Sequence, residues 1–166
     1  MERVDPPYAA DERTMLVAFL DYYRETMIAK LQGLTEEQAR WKPAETANSL
    51  IGLVQHLAYV EQWWFRTCFA GEPDEPIPGS EEDPDIDFKV PEDRTIEDVA
   101  AFYRSQYARA SEIVKAAPSL DDFSAVDARG KPRTLRWILV HMIEETARHA
   151  GHADITRELI DGSTGD

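Results

Sequence analysis

Residues 71–94 read GEPDEPIPGSEEDPDIDFKVPEDR, and this stretch decides how the helices on either side of it run. It holds ten acidic residues against Lys89 and Arg94, and it predicts a long loop. Twenty-four extended residues reach ~80 Å, whereas a helix of 20 residues is ~30 Å long. The loop is therefore long enough for the two flanking helices to run parallel. A mobile acidic excursion on an up-down-up-down bundle is the alternative.

Four long segments with helical periodicity surround this loop. We expect them to run from about Asp11 to Leu31, from after Ser49 to Gly71, from Thr95 to about Ala117 and from Thr134 to Gly162. Between the first two lies a short turn, LTEEQARWKP (34–43), in which Thr35 and Gln38 have the spacing of a capping box. The sequence predicts an all-α four-helix bundle of up-down-down-up topology, with the crossover loop between helices two and three.

Length and composition indicate a single domain over residues 1–166, with 43% hydrophobic residues to form its core. The 32 acidic and 18 basic residues give a formal charge of −14, which argues against binding nucleic acid or an anionic membrane surface. No apolar run reaches the ~20 residues of a membrane-spanning helix, and the N-terminus has no signal-peptide core. Cys68 is the one cysteine, so no internal disulfide forms. We therefore expect a cytoplasmic protein.

The stretch HMIEETARHAGH (141–152) holds three of the four histidines. On a helix, Glu145, His149 and His152 lie about 40°, 80° and 20° from His141, so all four share one side. Apolar residues extend this side of the helix at both ends and form with the four residues a single stripe: Trp137, Ile155 and Leu159. Burying an unpaired carboxylate is very costly. A divalent cation would explain why this apolar stripe carries ionisable groups in its middle.

The histidine outside this stretch is His56, within LVQHLAYVEQWW (53–64). Gly52 lies one helical turn before it on the same face and leaves room beside it. Glu145 and His149, four residues apart, face the same way on the last helix. The sequence therefore predicts a metal site with His56, Glu145 and His149 as ligands.

Each of these residues also has an interpretation without metal chemistry. His56 could be a hydrogen-bonded core histidine, and Glu145 with His149 could be an ordinary helical pair. His141 and His152 are candidate catalytic residues that shuttle a proton or orient a ligand, and the alternative is that they are neighbours without a catalytic role. The chain contains no H-E-x-x-H zinc motif and no E-x-x-H of the di-iron bundles.

Two blocks, GLTEEQARWKPAETANSLIGLVQHLAYVEQWWF (33–65) and LRWILVHMIEETARHAGHADITRELIDG (135–162), resemble the DinB/YfiT superfamily in its DUF664 branch, which is common in actinobacteria. The acidic loop and RTIEDVAAFYR (94–104) are also typical of that branch. The resemblance implies an up-down-down-up bundle, often dimeric. It also implies a metal held by one histidine of helix two and a pair of residues on the last helix. Those positions here are His56, Glu145 and His149.

The sequence departs from the commoner pattern of three histidines at Glu145. The mycothiol-dependent maleylpyruvate isomerases, which are similar, use zinc with the same His, Glu and His set. The resemblance therefore implies Zn²⁺, with nickel or another transition metal as the alternative, and a mycothiol-like thiol as co-substrate. His152 falls where many relatives have glutamine and is not an implied ligand.

Two neutral histidines and one carboxylate would leave a Zn²⁺ site with one net positive charge and an open position. A thiol bound there would lose its proton and become a nucleophile. The sequence thus predicts a metal-dependent enzyme that activates a small thiol for S-transfer to an electrophile, or for thiol-dependent isomerisation. A non-catalytic bundle, stress-related or binding, with a vestigial metal site is the alternative.

Other reactive or aromatic residues carry weaker expectations. Cys68 is not expected to be a nucleophile, because no histidine or lysine lies near it in sequence to activate it. The four tryptophans could line the mouth of a pocket, although aromatic side chains on helices more often belong to the core. They are Trp41, Trp63, Trp64 and Trp137.

The first half of the last helix is apolar nearly all round, which is typical of a fully buried helix. Its apolar residues are Leu135, Ile138, Leu139, Val140, Met142, Ile143 and Ala147. Because one four-helix bundle buries only part of each helix, we expect a homodimer. Burial under the 71–94 loop and the 118–133 linker is the alternative.

Overall fold

The computed structural model describes residues 3–44, 48–73, 78, 83, 85–128 and 130–165, and most of these are helical. The helices are α1 (Glu12–Ala29), α2 (Glu36–Arg40), α3 (Leu50–Glu61), α4 (Ile96–Ala116) and α5 (Leu135–Asp161). α3 continues directly into a π-helical segment, Gln62–Phe69, and a 3-10 turn, Ile86–Phe88, lies in the crossover. None of the described helices is both long and apolar enough to cross a membrane. The all-α prediction is confirmed.

Short polar side chains and glycines set the ends of the helices. Thr35 and Gln38 form the predicted capping box, and the Thr134 side chain accepts a hydrogen bond from the first turn of α5. Gly162 ends α5 with a φ of +77°, a conformation that glycine adopts without strain. The remaining long helices are capped in the same way at Asp11, Ser49 and Thr95. The predicted helices are therefore confirmed to within a few residues at each end.

α1 and α5 run parallel to each other. Near the start of both helices, Arg136 Nε donates to Glu12 Oε1 at 2.7 Å. Near their ends, Arg157 Nη1 donates to the Lys30 carbonyl oxygen at 2.9 Å. The starts of α1 and α5 therefore lie side by side, and so do their ends. This is the relation expected for the first and last helices of an up-down-down-up bundle.

α3 and α4 also run parallel to each other. Arg94, at the start of α4, donates to Gln55 Oε1 near the start of α3 at 3.0 Å. Further along, Arg66 of the π-helical segment donates to Gln106 Oε1 of α4 at 3.1 Å. The two helices joined by the crossover therefore point the same way, as its length predicts.

α1 points in the direction opposite to α4. Arg13, at the start of α1, donates to the carbonyl oxygen of Val114, near the end of α4. With the two parallel pairs, this contact gives the up-down-down-up topology, and the fold prediction is confirmed. Residues 74–77, 79–82 and 84 of the predicted crossover loop lie outside the described residues.

A buried ion pair joins α1 to the end of α3. Arg24 donates to both carboxylate oxygens of Glu61, at 2.6 and 2.7 Å, and neither side chain is exposed to solvent by more than 3%. The guanidinium also lies over the rings of Phe65 and Tyr107, which belong to the two apolar clusters of the bundle. Because a charge buried without a partner is costly, this pair fixes the register between α1 and α3.

The described end of the crossover packs tightly on α3 at Gly52. A β-carbon at this position would lie 2.5 Å from the Phe88 carbonyl oxygen, which is closer than two such atoms approach. Gln55 Nε2, on the adjoining face, donates to the backbone carbonyls of Asp87 and Lys89 at 2.7 and 3.3 Å. The space that the sequence predicted beside His56 is therefore occupied by the backbone of residues 87–89.

The expectation that the first half of α5 is buried all round is wrong, because Ile143 and Ala147 are only half-buried and Val140 is exposed. Val140 is 51% exposed, because it lies on the side of α5 away from the bundle. Four of the apolar residues are fully buried within a single chain and need no partner: Leu135, Ile138, Leu139 and Met142. Homodimerisation stays a prediction, and the exposed Val140 is the part of this segment that still supports it.

Replacing Gly52 by alanine tests the contact between crossover and α3. Alanine favours a helix more than glycine does, yet its β-carbon would push the Phe88 carbonyl away. We expect a loss of about 1–3 kcal/mol in the free energy of unfolding, measured by urea denaturation. Gly151→Ala is the matched control, since nothing lies within 4 Å of its β-carbon position. That variant should gain about 0.5–1 kcal/mol. A gain in both variants would contradict the close contact.

Candidate metal centre

Three side chains meet between α3 and α5. Glu145 Oε1 lies 3.4 Å from His56 Nε2 and 3.2 Å from His149 Nε2. The three donor atoms all lie within 4.8 Å of one another. The structure thus brings together the residues that the sequence singled out as a ligand set.

The helices bring these three groups together through simple geometry. Glu145 and His149 are one turn apart on α5, so their side chains project side by side. α3 runs antiparallel to α5, and His56 faces them from its middle. The ring centroids of His56 and His149 are 5.0 Å apart with planes inclined at 72°, and each ring directs its Nε2 towards Glu145 Oε1.

Asp87 orients the ring of His56. Its Oδ2 lies 2.6 Å from His56 Nδ1. A carboxylate can only accept a hydrogen bond, so Nδ1 carries the proton and donates it. This leaves the lone pair of His56 on Nε2, the atom that faces Glu145. A carboxylate behind a metal-binding histidine commonly fixes the ring and its tautomer in this way.

Asp87 was not among the residues that the sequence predicted for the site. It is one of ten acidic residues in the 71–94 stretch, and no spacing distinguishes it from the other nine. The one available signal was indirect: Gly52, on the face of His56, indicated that another part of the chain approaches there. The sequence does not say which residue of the crossover fills that space.

Phe88 closes one side of the cluster. Its ring stacks on His56 with centroids 4.0 Å apart and planes inclined at 12°, and it lies 6.0 Å from the His149 ring. The side chains of His56, Glu145 and His149 are only 12–14% exposed. The cluster is therefore largely screened from water on the side of the crossover.

Burial keeps His149 neutral. Loss of hydration is the main cause that lowers its pKa from 6.5 to about 4, and the neighbouring His56 and Arg148 lower it further. At neutral pH the ring therefore offers a lone pair rather than a positive charge. A neutral imidazole is the form that binds a metal ion.

The two oxygens of Glu145 have different neighbours. Oε1 faces the two histidines, whereas Oε2 is contacted by Arg148 Nη2 from the next turn of α5. Glu145, alone of the three, also borders a cleft of about 680 Å³, and Phe88 is not part of its lining. One side of the cluster is thus closed by an aromatic ring, and Glu145 connects the cluster to a cleft.

The three groups fit a divalent transition metal. Ligand atoms ~2.0–2.1 Å from a tetrahedral zinc ion lie about 3.3–3.4 Å from each other. The two separations from Glu145 Oε1, 3.2 and 3.4 Å, match this spacing, and the three donor atoms together lie within 4.8 Å of one another. Two nitrogen donors and one carboxylate oxygen are ordinary zinc ligands, and three protein ligands leave a position for another molecule. His56, Glu145 and His149 are therefore the residues that would hold the ion.

The two candidate catalytic histidines lie in different places. His141 borders the same cleft as Glu145, stacked on Trp137 with centroids 5.0 Å apart and 3.5 Å from Glu144. His152 lies one turn beyond His149, and partial burial lowers its pKa. It is not part of the three-residue cluster. Of the two, His141 is placed to meet a molecule in the cleft.

The apolar ends of the α5 stripe are exposed rather than buried. The residues concerned are Trp137, Ile155 and Leu159, which are 43%, 63% and 61% exposed. The centre of the buried face passes through Met142, about 100° from His141, so the stripe runs along the border of that face. Glu145 and His149 lie on its inner side. The stripe therefore marks the edge of the core and not its centre.

Cys68 and Trp41 lie away from the cluster. Cys68 is buried, its Sγ is 3.4 Å from the Val126 carbonyl oxygen, and burial raises the pKa of its thiol. A buried neutral thiol is a poor nucleophile. Trp41 lies near Leu159 and Ile160 at the other end of α5. Neither residue contributes to the site.

Comparison with known proteins places these features in a family context. A family model described as mycothiol-S-transferase matches residues 15–162, a range that includes His56, Glu145 and His149. No curated protein matches the chain. A solved structure described as a conserved protein from Enterococcus faecalis is similar in fold, with a TM-score of 0.65 and 22% identity. The match covers 93% of this chain and 100% of that one.

Asp87→Asn tests the role of the carboxylate behind His56. Removing the charge weakens the hydrogen bond that fixes the ring, so we expect zinc affinity to fall by about 10–100-fold. Competition with a chromophoric chelator measures this change. Asp93→Asn, an exposed carboxylate of the same segment, is the matched control and should leave affinity unchanged. Equal losses of zinc affinity in the two variants would mean that Asp87 acts only through its negative charge and not through its hydrogen bond to His56.

The pKa of His149 predicts a pH effect in the metal-free protein. Its folded pKa of about 4 lies below the ordinary 6.5, so the folded state binds fewer protons than the unfolded state between these values. Stability from this residue is therefore complete above pH 6.5 and is lost as pH falls towards 4. We expect the stability of His149→Gln to decline less steeply over this range. An NMR titration of His149 near pH 6.5 would contradict the prediction.

Proposed function

Because the chain belongs to the mycothiol-S-transferase family, we propose that it is a metal-dependent thiol S-transferase whose ion is held by His56, Glu145 and His149. Zn²⁺ is the proposed ion and a mycothiol-like thiol the proposed co-substrate. The observation that carries the proposal is the pair of 3.2 and 3.4 Å separations among three largely buried donors, of which Glu145 borders a cleft.

When bound, a divalent ion of this kind lowers the pKa of a thiol and supplies the thiolate nucleophile. The residues of the chain set the charge around that sulfur. His56 and His149 are neutral donors, so Glu145 contributes the one negative charge among the three. A site of low net charge holds a thiolate less tightly and leaves its sulfur more reactive.

The surrounding residues control access to the sulfur. Phe88 covers the side of the cluster that faces the crossover, so co-substrates enter from the cleft. His141 borders that cleft, and we assign it the role of accepting the proton that the thiol releases. The sulfur electron pair then forms a bond to an electrophilic carbon. The leaving group departs with the electron pair of the bond that breaks, so no oxidant or reductant is needed.

A covalent mechanism through the protein's own thiol does not fit this arrangement. Cys68 is buried and hydrogen-bonded to the Val126 carbonyl, and its pKa is raised rather than lowered. A nucleophilic cysteine needs a lowered pKa and access to solvent. The proposed nucleophile is therefore the sulfur atom of the small thiol.

Variants of the ligand set test the proposal. Glu145→Gln and Glu145→His remove the negative charge, so both should bind thiol and transfer it more slowly. A slowing of about tenfold to a hundredfold corresponds to ~1.4–2.7 kcal/mol in the barrier. His149→Ala should lose metal and activity together. The assay is the transfer of mycothiol to monochlorobimane, with metal content measured on each purified variant.

Cys68→Ala is the control in the same assay, because it removes the protein's thiol without touching the ligand set. It should keep both its metal and its transfer rate. Equal rates in wild type, Glu145→Gln and His149→Ala would contradict the proposal. That result would favour a non-catalytic bundle that retains a vestigial site.

A further inference from the structure

The cleft beside Glu145 has an aromatic wall. The rings of Trp63, Trp64 and Trp137 follow one another along it, with centroids 4.6 and 5.2 Å apart. Trp137 remains 43% exposed although it stands in this wall. His141 stacks on this ring and Arg133 lies over it, so the part of the indole that remains exposed, together with Trp63 and Trp64, offers apolar contact to a flat molecule.

Two structural features turn these aromatic side chains towards the cleft. Trp63 and Trp64 belong to the π-helical segment, whose wider turns change the direction of side chains relative to an α-helix. The segment is held by the linker, since the backbone N–H groups of Ala125 and Val126 donate to the carbonyls of Phe69 and Cys68. The aromatic wall is therefore a fixed part of the fold.

Arg133 supplies a positive charge at the rim of this wall. Its guanidinium lies 5.0 Å from the centre of the Trp137 ring. Its side-chain hydrogen bonds go to the backbone carbonyls of Lys131 and Pro132, at 3.1 and 3.4 Å. Among the described residues, no carboxylate forms an ion pair with it.

The other arginine of the cleft is already neutralised. Arg148 contacts Glu145 and lies 3.8 Å from Glu144, so its charge is balanced within α5. The chain as a whole carries a net charge of −14, which makes an arginine without a carboxylate partner at a cleft unusual. Arg133 is therefore the group of this cleft that is available to an anion.

We infer that the electrophilic co-substrate of the proposed transferase is a flat aromatic or conjugated molecule that carries one carboxylate. Its ring lies against the tryptophans, and its carboxylate pairs with Arg133. Its electrophilic carbon then points towards Glu145, where the proposed metal centre holds the thiol. This inference rests on the proposed function for the reaction, but its binding chemistry rests on the cleft alone.

Matched ligands separate charge from shape. The probes are 4-nitrobenzoate and 4-nitrobenzamide, which have the same ring and differ in charge. Isothermal titration calorimetry on metal-free protein without thiol should show the benzoate binding about fivefold more tightly or better, the effect of one partly exposed ion pair. Arg133→Gln should abolish this preference, and Arg133→Lys should retain part of it. Trp137→Leu should weaken both ligands.

The control variant is Arg104→Gln, which removes the same charge from an exposed position on α4. It should keep the full preference for the benzoate. Equal affinities of wild type for the two probes, or an equal loss in the two arginine variants, would overturn the inference. Circular dichroism checks that each variant is folded. These binding results stand whether or not the protein transfers a thiol.

A second arm tests whether the bound molecule is a co-substrate. Mycothiol is offered 4-(bromomethyl)benzoate or 4-(bromomethyl)benzamide. The sulfur forms a bond to the benzylic carbon, bromide leaves with the bonding electrons, and the thiol proton passes through His141 to the buffer. Faster catalysed transfer to the benzoate, lost in Arg133→Gln, supports the inference. Preferential binding with no transfer to either compound would overturn the co-substrate role, and transfer to monochlorobimane tests the proposed function separately.

Discussion

The candidate site depends on the close approach of the crossover to α3 at Gly52. The Phe88 carbonyl occupies the space that a side chain would otherwise fill. This one contact places Asp87 behind His56 and lays the Phe88 ring across it. This contact therefore fixes the tautomer of His56 and the direction of its unprotonated nitrogen. It also screens the crossover side of the cluster from water. A crossover that ended its path elsewhere would leave His56 an ordinary half-buried histidine.

The fold could be predicted from the sequence because its signals are local. Capping residues such as Thr95 and Thr134 and the terminal Gly162 mark the helix ends within one or two residues. The length of the 71–94 stretch allows the two flanking helices to run parallel, and the family resemblance implied the same topology. Helical periodicity predicted that Glu145 and His149 face the same way, because residues four apart share a face, and His56 was added as the histidine outside that helix. These are properties of one helix or one loop at a time.

The parts that could not be predicted depend on contacts between distant segments. Asp87 is one carboxylate among many in its stretch, and only packing against Gly52 selects it. The stripe on α5 contains Glu145 and His149, which the structure brings beside His56, but its predicted depth was wrong, since periodicity does not fix where a helix meets its neighbours. For the same reason Trp137 is exposed in a cleft wall and Trp41 lies elsewhere, although both are tryptophans on or beside helices.

The site is built from two kinds of structure, and this division has a functional consequence. Its three ligand candidates lie on α3 and α5, where the antiparallel packing fixes their separations. The cleft is completed by Ala128 and Arg133 of the linker, which packs on the end of the π-helical segment. A change at Arg133 alters the charge offered to a co-substrate and leaves the spacing of His56, Glu145 and His149 intact. The proposed thiol activation and the proposed selection of the electrophile are thus separable in this fold, because helices position the residues of the first and a linker contributes to the second.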